Sequence, residues 1–205
     1  VHAQPATKAY RCPDSDTTVP VRPRRSTGIT YRREGPPEQL RRGYLMDDLV
    51  GWADATWGDN QIQGSVSTTG YCYTTKTGLI LFGCMKQNNV TNSTCESEVM
   101  ASRTCALNGI WLRNLLKDIG FQFSKPTQIM QDNTSAIATC TSDAHHARSR
   151  HFRIACHFLH ELYLMRHFIF VWIQSGEMLA DIFTKALGKD SHEKHQQTLT
   201  RHKRL

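Results

Sequence analysis

Long apolar runs are missing from this 205-residue chain. The longest, residues 79–82 and 168–173, fall well short of the roughly 18–20 residues a membrane helix needs, so no bilayer-spanning helix is expected. A charged-then-apolar leader is missing as well. The chain starts at Val1, so it reads as lacking a signal peptide and as a fragment or processed product. No cysteines are spaced Cys-x-x-Cys, and the count of seven is odd. They read as reduced intracellular thiols serving as small core residues, not as a disulfide framework. Sequons at Asn89, Asn92 and Asn133 then read as chance. Proline is scarce after the first 37 residues, which hold six of the seven.

What is present is a core-forming composition with basic ends. Hydrophobic residues make up 39% and charged residues 21%, which excludes a wholly disordered chain. The net charge is +7. Residues 1–45 carry nine Lys/Arg against four Asp/Glu, residues 185–205 six against two, and the stretch between is slightly acidic. Basic ends around an acidic centre fit a polyanion held near an acidic site; solvated tails fit the charge equally well.

The texture divides the chain into a basic, Pro-rich leader at 1–45, a folded domain at 46–189 and a basic polar tail at 190–205. Residues 1–26 and 191–205 lack apolar periodicity and are expected to pack poorly. Within the leader, residues 28–33 alternate and could form a strand. Strands are expected at 49–55, 70–75 and 79–85, the last two joined by a hairpin at Lys76-Thr-Gly78. Apolar residues recur at helical spacing over 96–119, and Gly120 is a natural stop. A strand at 127–132, a short helix through 138 and a helix at 151–166 follow. Residues 168–173 read as a buried strand with its Trp and Phe in the core, and 178–187 as a final helix. Strands alternating with helices after an opening meander imply a mixed sheet with helices packed on it.

Four acids occupy similar places: Asp54 and Asp132 at strand ends, Glu98 opening the long helix, and Asp181 in the last helix. Each alone could be a turn or helix cap. Together, beside apolar segments, they would repel one another unless cations intervened. Oxygen-only ligands suit Mg²⁺ or Mn²⁺, and two such ions can activate a water and stabilise the leaving oxygen of a phosphodiester.

These residues belong to four of seven ordered motifs: Leu49-Val-Gly-Trp-Ala-Asp54, Ser67-Thr-Thr-Gly-Tyr71, Lys86-Gln87 with Ser93-Thr-Cys-Glu-Ser-Glu98, Ile110-Trp-Leu-Arg113, Gln131-Asp-Asn-Thr-Ser135, Arg150-His151 through His157-Phe-Leu-His-Glu161, and Leu179-Ala-Asp-Ile-Phe-Thr-Lys185. The series resembles the ribonuclease H domain that ends the Pol polyprotein of copia-type LTR retrotransposons. The resemblance implies a ribonuclease H-like α/β fold, a five-stranded mixed sheet flanked by helices. It implies a metal-dependent endonuclease that hydrolyses the RNA strand of RNA–DNA hybrids, leaving a 5′-phosphate and a 3′-hydroxyl. Asp54, Glu98, Asp132 and Asp181 would be both catalytic residues and ligands of two Mg²⁺ ions, with Mn²⁺ able to substitute. Glu98 is preferred to Glu96 because Glu-Val-Met-Ala matches the opening of the family's helix. The implied partners are the hybrid, met through its backbone, and the reverse transcriptase domain of the same polyprotein, a remnant of which could lie in the leader. The implied location is intracellular: cytoplasm, virus-like particles or nucleus.

The chain also departs from the family pattern. Thr56 replaces an Asp, Arg153 and Ala155-Cys156 replace Asp and Arg-Tyr, and Ala186 replaces a Pro. A decayed or domesticated nucleic-acid-binding remnant is therefore the alternative to an active enzyme. A third reading rests on His145, His146, His151, His157, His160 and His167, whose spacing with Cys140 and Cys156 could hold zinc, although solvated helix histidines explain them too.

Overall fold

The computed structural model describes residues 44–57, 66–88, 90–142 and 150–200. The expected strand at 28–33, the rest of the leader through 43, His145, His146 and residues 201–205 lie outside the described residues. Elements follow in the order β1 (Tyr44–Leu45), β2 (Val50–Thr56), β3 (Thr68–Thr75), β4 (Gly78–Lys86), α1 (Thr94–Asp118), β5 (Phe121–Gln122), β6 (Thr127–Gln131), α2 (Thr134–Thr141), α3 (Arg150–Leu164), β7 (Phe168–Trp172) and α4 (Lys189–Thr200), with 3-10 turns at Ser175–Glu177 and Leu179–Phe183.

Five strands form one mixed sheet in the order β4-β3-β2-β6-β7. The first three are an antiparallel meander; β6 lies parallel to β2, and β7 parallel to β6. This is the flanked five-stranded mixed sheet expected from the sequence. A separate parallel pair, β1 with β5, had no signal in the sequence pattern.

Local chemistry explains the framework. The β3–β4 hairpin turns at Lys76 and Thr77, and Gly78 takes a φ of 129°, a conformation that side chains disfavour. β3 is buried along its length because its alternating residues serve two cores. Tyr71 and Tyr73 join the main core with Val99 and Cys105 of α1, Ala136 of α2 and Phe152 of α3, while Cys72 meets Leu179 and Leu199 on the other face. Ser93 caps α1 by accepting from the Glu96 backbone N–H (3.2 Å), and the Glu96 carboxylate accepts from the Asn92 N–H (3.0 Å). In mid-helix, a Cβ on Gly109 would lie 2.0 Å from the Tyr73 hydroxyl, so only glycine lets β3 approach this closely. The outer face of α1 leaves Leu107, Trp111, Leu115 and Ile119 exposed. The six cysteines among the described residues are free thiols, and burial pushes that of Cys105 up to about 12, as suits an inert core group.

Three expectations need correction. Residues 178–187 are not an α-helix: a 3-10 turn spans Leu179–Phe183, and the Thr184 hydroxyl turns back to bond Asp54. The poor packing expected from 191 onward does not hold as far as Thr200, because α4 buries His195 and Leu199, four residues apart. With one apolar residue on that stripe, the periodicity was invisible. Trp172 is not core: β7 is an edge strand, its burial alternates, and Trp172 is 56% exposed. Among the described residues, no helix is long and apolar enough to cross a membrane.

Candidate active site

Asp54 lies towards the end of β2, opposite Gly70 of β3. In the parallel neighbour, Met130 of β6 is level with Trp52. Carrying that register two residues further sets Asp132, just past β6, beside Asp54. Glu98 comes from the first turns of α1, which packs across the sheet. One carboxylate oxygen from each of Asp54, Glu98 and Asp132 lies within 4.8 Å of the other two. Among the described residues no other three His, Cys, Asp or Glu side chains come together in this way. The described histidines thus form no zinc-type group, and Asn133 of the third sequon is the N-cap of α2, accepting from the Ala136 N–H (3.0 Å).

Asp181 approaches from the opposite face of the sheet. Its turn lies directly on β3 because Gly70 has no side chain: a Cβ there would be 2.6 Å from Thr184 and 3.1 Å from the Ala180 carbonyl oxygen. Asp181 is not one of the close trio. It joins Asp54 through Lys185, whose Nζ is 2.8 Å from Asp181 Oδ1 and 3.1 Å from Asp54 Oδ1. The Thr184 hydroxyl bonds the other Asp54 oxygen, and the Thr56 hydroxyl donates to the Thr184 carbonyl (2.7 Å).

The sequence singled out Asp54, Glu98, Asp132 and Asp181 but not the residues around them. Gln131 is fully buried and donates to Glu98 Oε2 (3.2 Å) and Ser102 Oγ (3.1 Å), while its own oxygen accepts from the Asn133 N–H (3.2 Å). The Trp172 indole N–H donates to the Asp132 carbonyl (3.2 Å), which places an exposed ring beside the acids. Lys185 had a readable signal, four residues after Asp181 in a motif already noted. Gln131 had none beyond its place before Asp132. Glu96 is buried and committed to the cap of α1, which leaves Glu98 to face the other acids.

The electrostatics are those of crowded acids. Burial pushes the Glu98 carboxyl up to about 9, the Asp54 and Asp132 charges add to this, and hydrogen bonds from Gln131 and the Ala55 backbone oppose it. Burial likewise raises Asp181 to about 6, with Lys185 opposing and Asp54 and Asp132 reinforcing. For Lys185 burial disfavours the ammonium, but Asp181 and Asp54 outweigh it, so its pKa rises. A donor set of carboxylate oxygens alone, too crowded to ionise without help, fits a hard divalent cation such as Mg²⁺ or Mn²⁺.

An antiparallel meander continued by two parallel strands, with helices on both faces, is a ribonuclease H-like fold. Over about three quarters of its length the chain has copia-type retrotransposon Pol polyproteins as homologues. It is 27% identical over 154 residues to the retrovirus-related Pol polyprotein from transposon RE1 of Arabidopsis thaliana, covering 75% of this chain and 10% of that protein. To the corresponding polyprotein from transposon RE2 it is 29% identical over 151 residues, covering 73% and 10%. To that from transposon TNT 1-94 of Nicotiana tabacum it is 27% identical over 159 residues, covering 78% and 11%. The chain thus spans about a tenth of the length of these curated relatives. No family model matches it. Among solved structures, it superposes on the N-terminal ribonuclease H domain of a Mycobacterium tuberculosis protein with a TM-score of 0.48 at 12% identity, covering 73% of this chain and 96% of that one. LC11-RNase H1, solved in complex with an RNA/DNA hybrid, gives 0.48 at 8% identity, covering 66% and 92%.

Proposed function

We propose that this chain is a metal-dependent endonuclease that hydrolyses the RNA strand of RNA–DNA hybrids, as a step of retrotransposon reverse transcription. The observation that carries the reading is the meeting of Asp54, Glu98 and Asp132 within 4.8 Å, with Asp181 linked to Asp54 through Lys185. All four acids would serve as ligands. Two Mg²⁺ ions, or Mn²⁺ in their place, would supply an activated water and charge stabilisation at the phosphodiester.

The chain's own residues do the positioning. Gln131 holds the Glu98 carboxylate from behind, and the Thr184 hydroxyl holds Asp54. Trp172 offers an exposed ring next to Asp132 on which a base or sugar can rest. Lys and Arg of the basic ends would pair with phosphates, so sequence preference should be weak. The 2′-hydroxyls would distinguish RNA from DNA. The polyprotein relatives support a reverse transcriptase domain as partner and an intracellular setting. Within this reading, residues 1–45 remain a leader to the nuclease domain. Against the binding-remnant alternative weighs the presence of all four acids that the ribonuclease H resemblance implies.

The test is cleavage of a labelled RNA–DNA hybrid in Mg²⁺, in EDTA, and by Asp132→Asn in Mg²⁺. Cleavage of the RNA strand in the first condition alone supports the proposal. Hybrid binding with no cleavage under any divalent ion moves the chain to the remnant class.

A further inference from the structure

Seen from Asp54, the acidic site has two unlike halves. Towards Glu98 and Asp132 there are two further carboxylates, and among the described residues no basic side chain is ion-paired to either of them. Towards Asp181 there are two carboxylates with the Lys185 ammonium seated between them, 3.1 Å from Asp54 Oδ1 and 2.8 Å from Asp181 Oδ1. The seat is shaped by the fold. Lys185 closes the turn that carries Asp181 by donating its backbone N–H to the Asp181 carbonyl (2.9 Å), so its stem starts one helical turn from its partner. The preceding Thr184 bonds the second Asp54 oxygen. Two consecutive residues therefore occupy both oxygens of a carboxylate that has no exposure of its own. The lysine side chain is 37% exposed, so it has an open path outwards.

We propose that Lys185 is a resident counter-cation for the Asp54–Asp181 half of the site. The free protein then takes up one divalent ion, at Asp54, Glu98 and Asp132. The Asp54–Asp181 half opens to a second ion only when Lys185 swings out to solvent or to the phosphate of a bound strand. A long flexible ammonium can make that exchange, because it can re-pair with phosphate as it leaves the carboxylates. The inference rests on the nuclease reading above, since it presumes that divalent ions bind these acids.

The experiment counts ions and needs no turnover. Mn²⁺ is titrated into the full chain without nucleic acid, free Mn²⁺ being followed by electron paramagnetic resonance. Wild type is compared with Lys185→Met, Lys185→Arg, and Lys185→Met combined with Asp181→Asn. Wild type and Lys185→Arg should bind one Mn²⁺ per chain. Lys185→Met should bind two, the second at least about tenfold tighter than any second binding by wild type, because a positive charge within contact distance is gone. Adding Asp181→Asn should return the count to one. Should Lys185→Met not fold without metal, Lys185→Gln replaces it, since an amide can still donate to both carboxylates. Two equally tight ions on wild type, or one ion on every Lys185 variant, overturns the role of Lys185 and leaves the nuclease reading standing. No Mn²⁺ on wild type or on the lysine variants overturns both.

Discussion

Helix α1 buries an ionisable side chain at each end, and the two ends handle it in opposite ways. Arg113, 7% exposed, donates to the Thr127 hydroxyl and lies over the Phe123 ring at 4.1 Å and the Phe168 ring at 5.9 Å. Four turns earlier Glu98, 6% exposed, faces Asp54 and Asp132 and is met, among the described residues, only by amide donors, the Gln131 side chain and the Ala55 backbone. The arginine's needs are met inside the chain, by a hydroxyl and by the negative faces of aromatic rings. At Glu98 the surplus charge has the same sign as its neighbours. A buried charge completed by its own chain serves stability; one left over-supplied with like charge calls for a cation from outside. Four predictions probe this contrast.

The largest effect is expected at the incomplete end. Asp132→Asn keeps the shape but removes a ligand charge, so hybrid cleavage in Mg²⁺ should fall on the order of a thousandfold. Folding should be unharmed, because one repulsive partner of Glu98 has gone. A single-turnover assay beside a melting curve reads both. Cleavage at the wild-type rate would remove these acids from the chemistry.

The complete end should respond the other way. Arg113→Ala strips packing from two aromatic rings and leaves the Thr127 hydroxyl without its donor, so stability should drop by about 2–3 kcal/mol. Cleavage per folded molecule should stay within about twofold, since Arg113 touches none of the acids. Urea unfolding and an assay well below the midpoint test the pair. A large loss of rate at full folding would mean the two ends are coupled through α1.

How far this contrast was legible in the sequence depends on how local its causes are. Asp54 and Asp132 could be singled out because each follows a short β-rich run, and parallel register then brings them level. Asp181 and Glu98 came from ordered motifs. Lys185 was legible as a partner of Asp181, four residues earlier, but its contact with Asp54 joins distant parts of the chain, which no local pattern supplies. Trp172 was misjudged because residues 168–173 are uniformly apolar, and only the strand order reveals that β7 is an edge. The close seating of the Leu179–Phe183 turn on β3 depends on Gly70, over a hundred residues away. The β1–β5 pair and α4 were missed for want of periodicity in short or polar segments.

A third prediction uses proton linkage. The folded, metal-free protein holds the Glu98 proton up to about 9, whereas a solvated glutamate releases it near 4.5. Between those values the folded state binds the extra proton. The stabilisation from this group is full below about 4.5 and is lost as pH rises through 9. Asp181, raised from 3.8 to about 6, acts in the same direction over a lower window. In EDTA the melting temperature should fall by about 5 °C or more between pH 5 and pH 9. Saturating Mg²⁺ should oppose that fall, because it favours the ionised carboxylates. Glu98→Gln should flatten the EDTA curve. A wild-type curve that is already flat in EDTA would show that the Glu98 proton is not retained.

The smallest effect is expected at Trp172, where the site meets its partner. The ring is exposed, and its one described hydrogen bond is to the Asp132 carbonyl. Trp172→Ala should therefore change stability little. It removes a flat face beside the acids, and a base or sugar stacked there contributes about 1 kcal/mol at the low end of such contacts, close to a fivefold change in affinity. Hybrid binding measured by anisotropy in EDTA should weaken by that factor. Trp172→Phe should recover most of it, since it restores a face without the N–H. The salt dependence should stay as in wild type, because no phosphate contact is lost. If the alanine variant binds as tightly as wild type while cleaving more slowly, the ring is positioning Asp132 through its N–H and not holding nucleic acid. The phenylalanine variant should then be as slow as the alanine one.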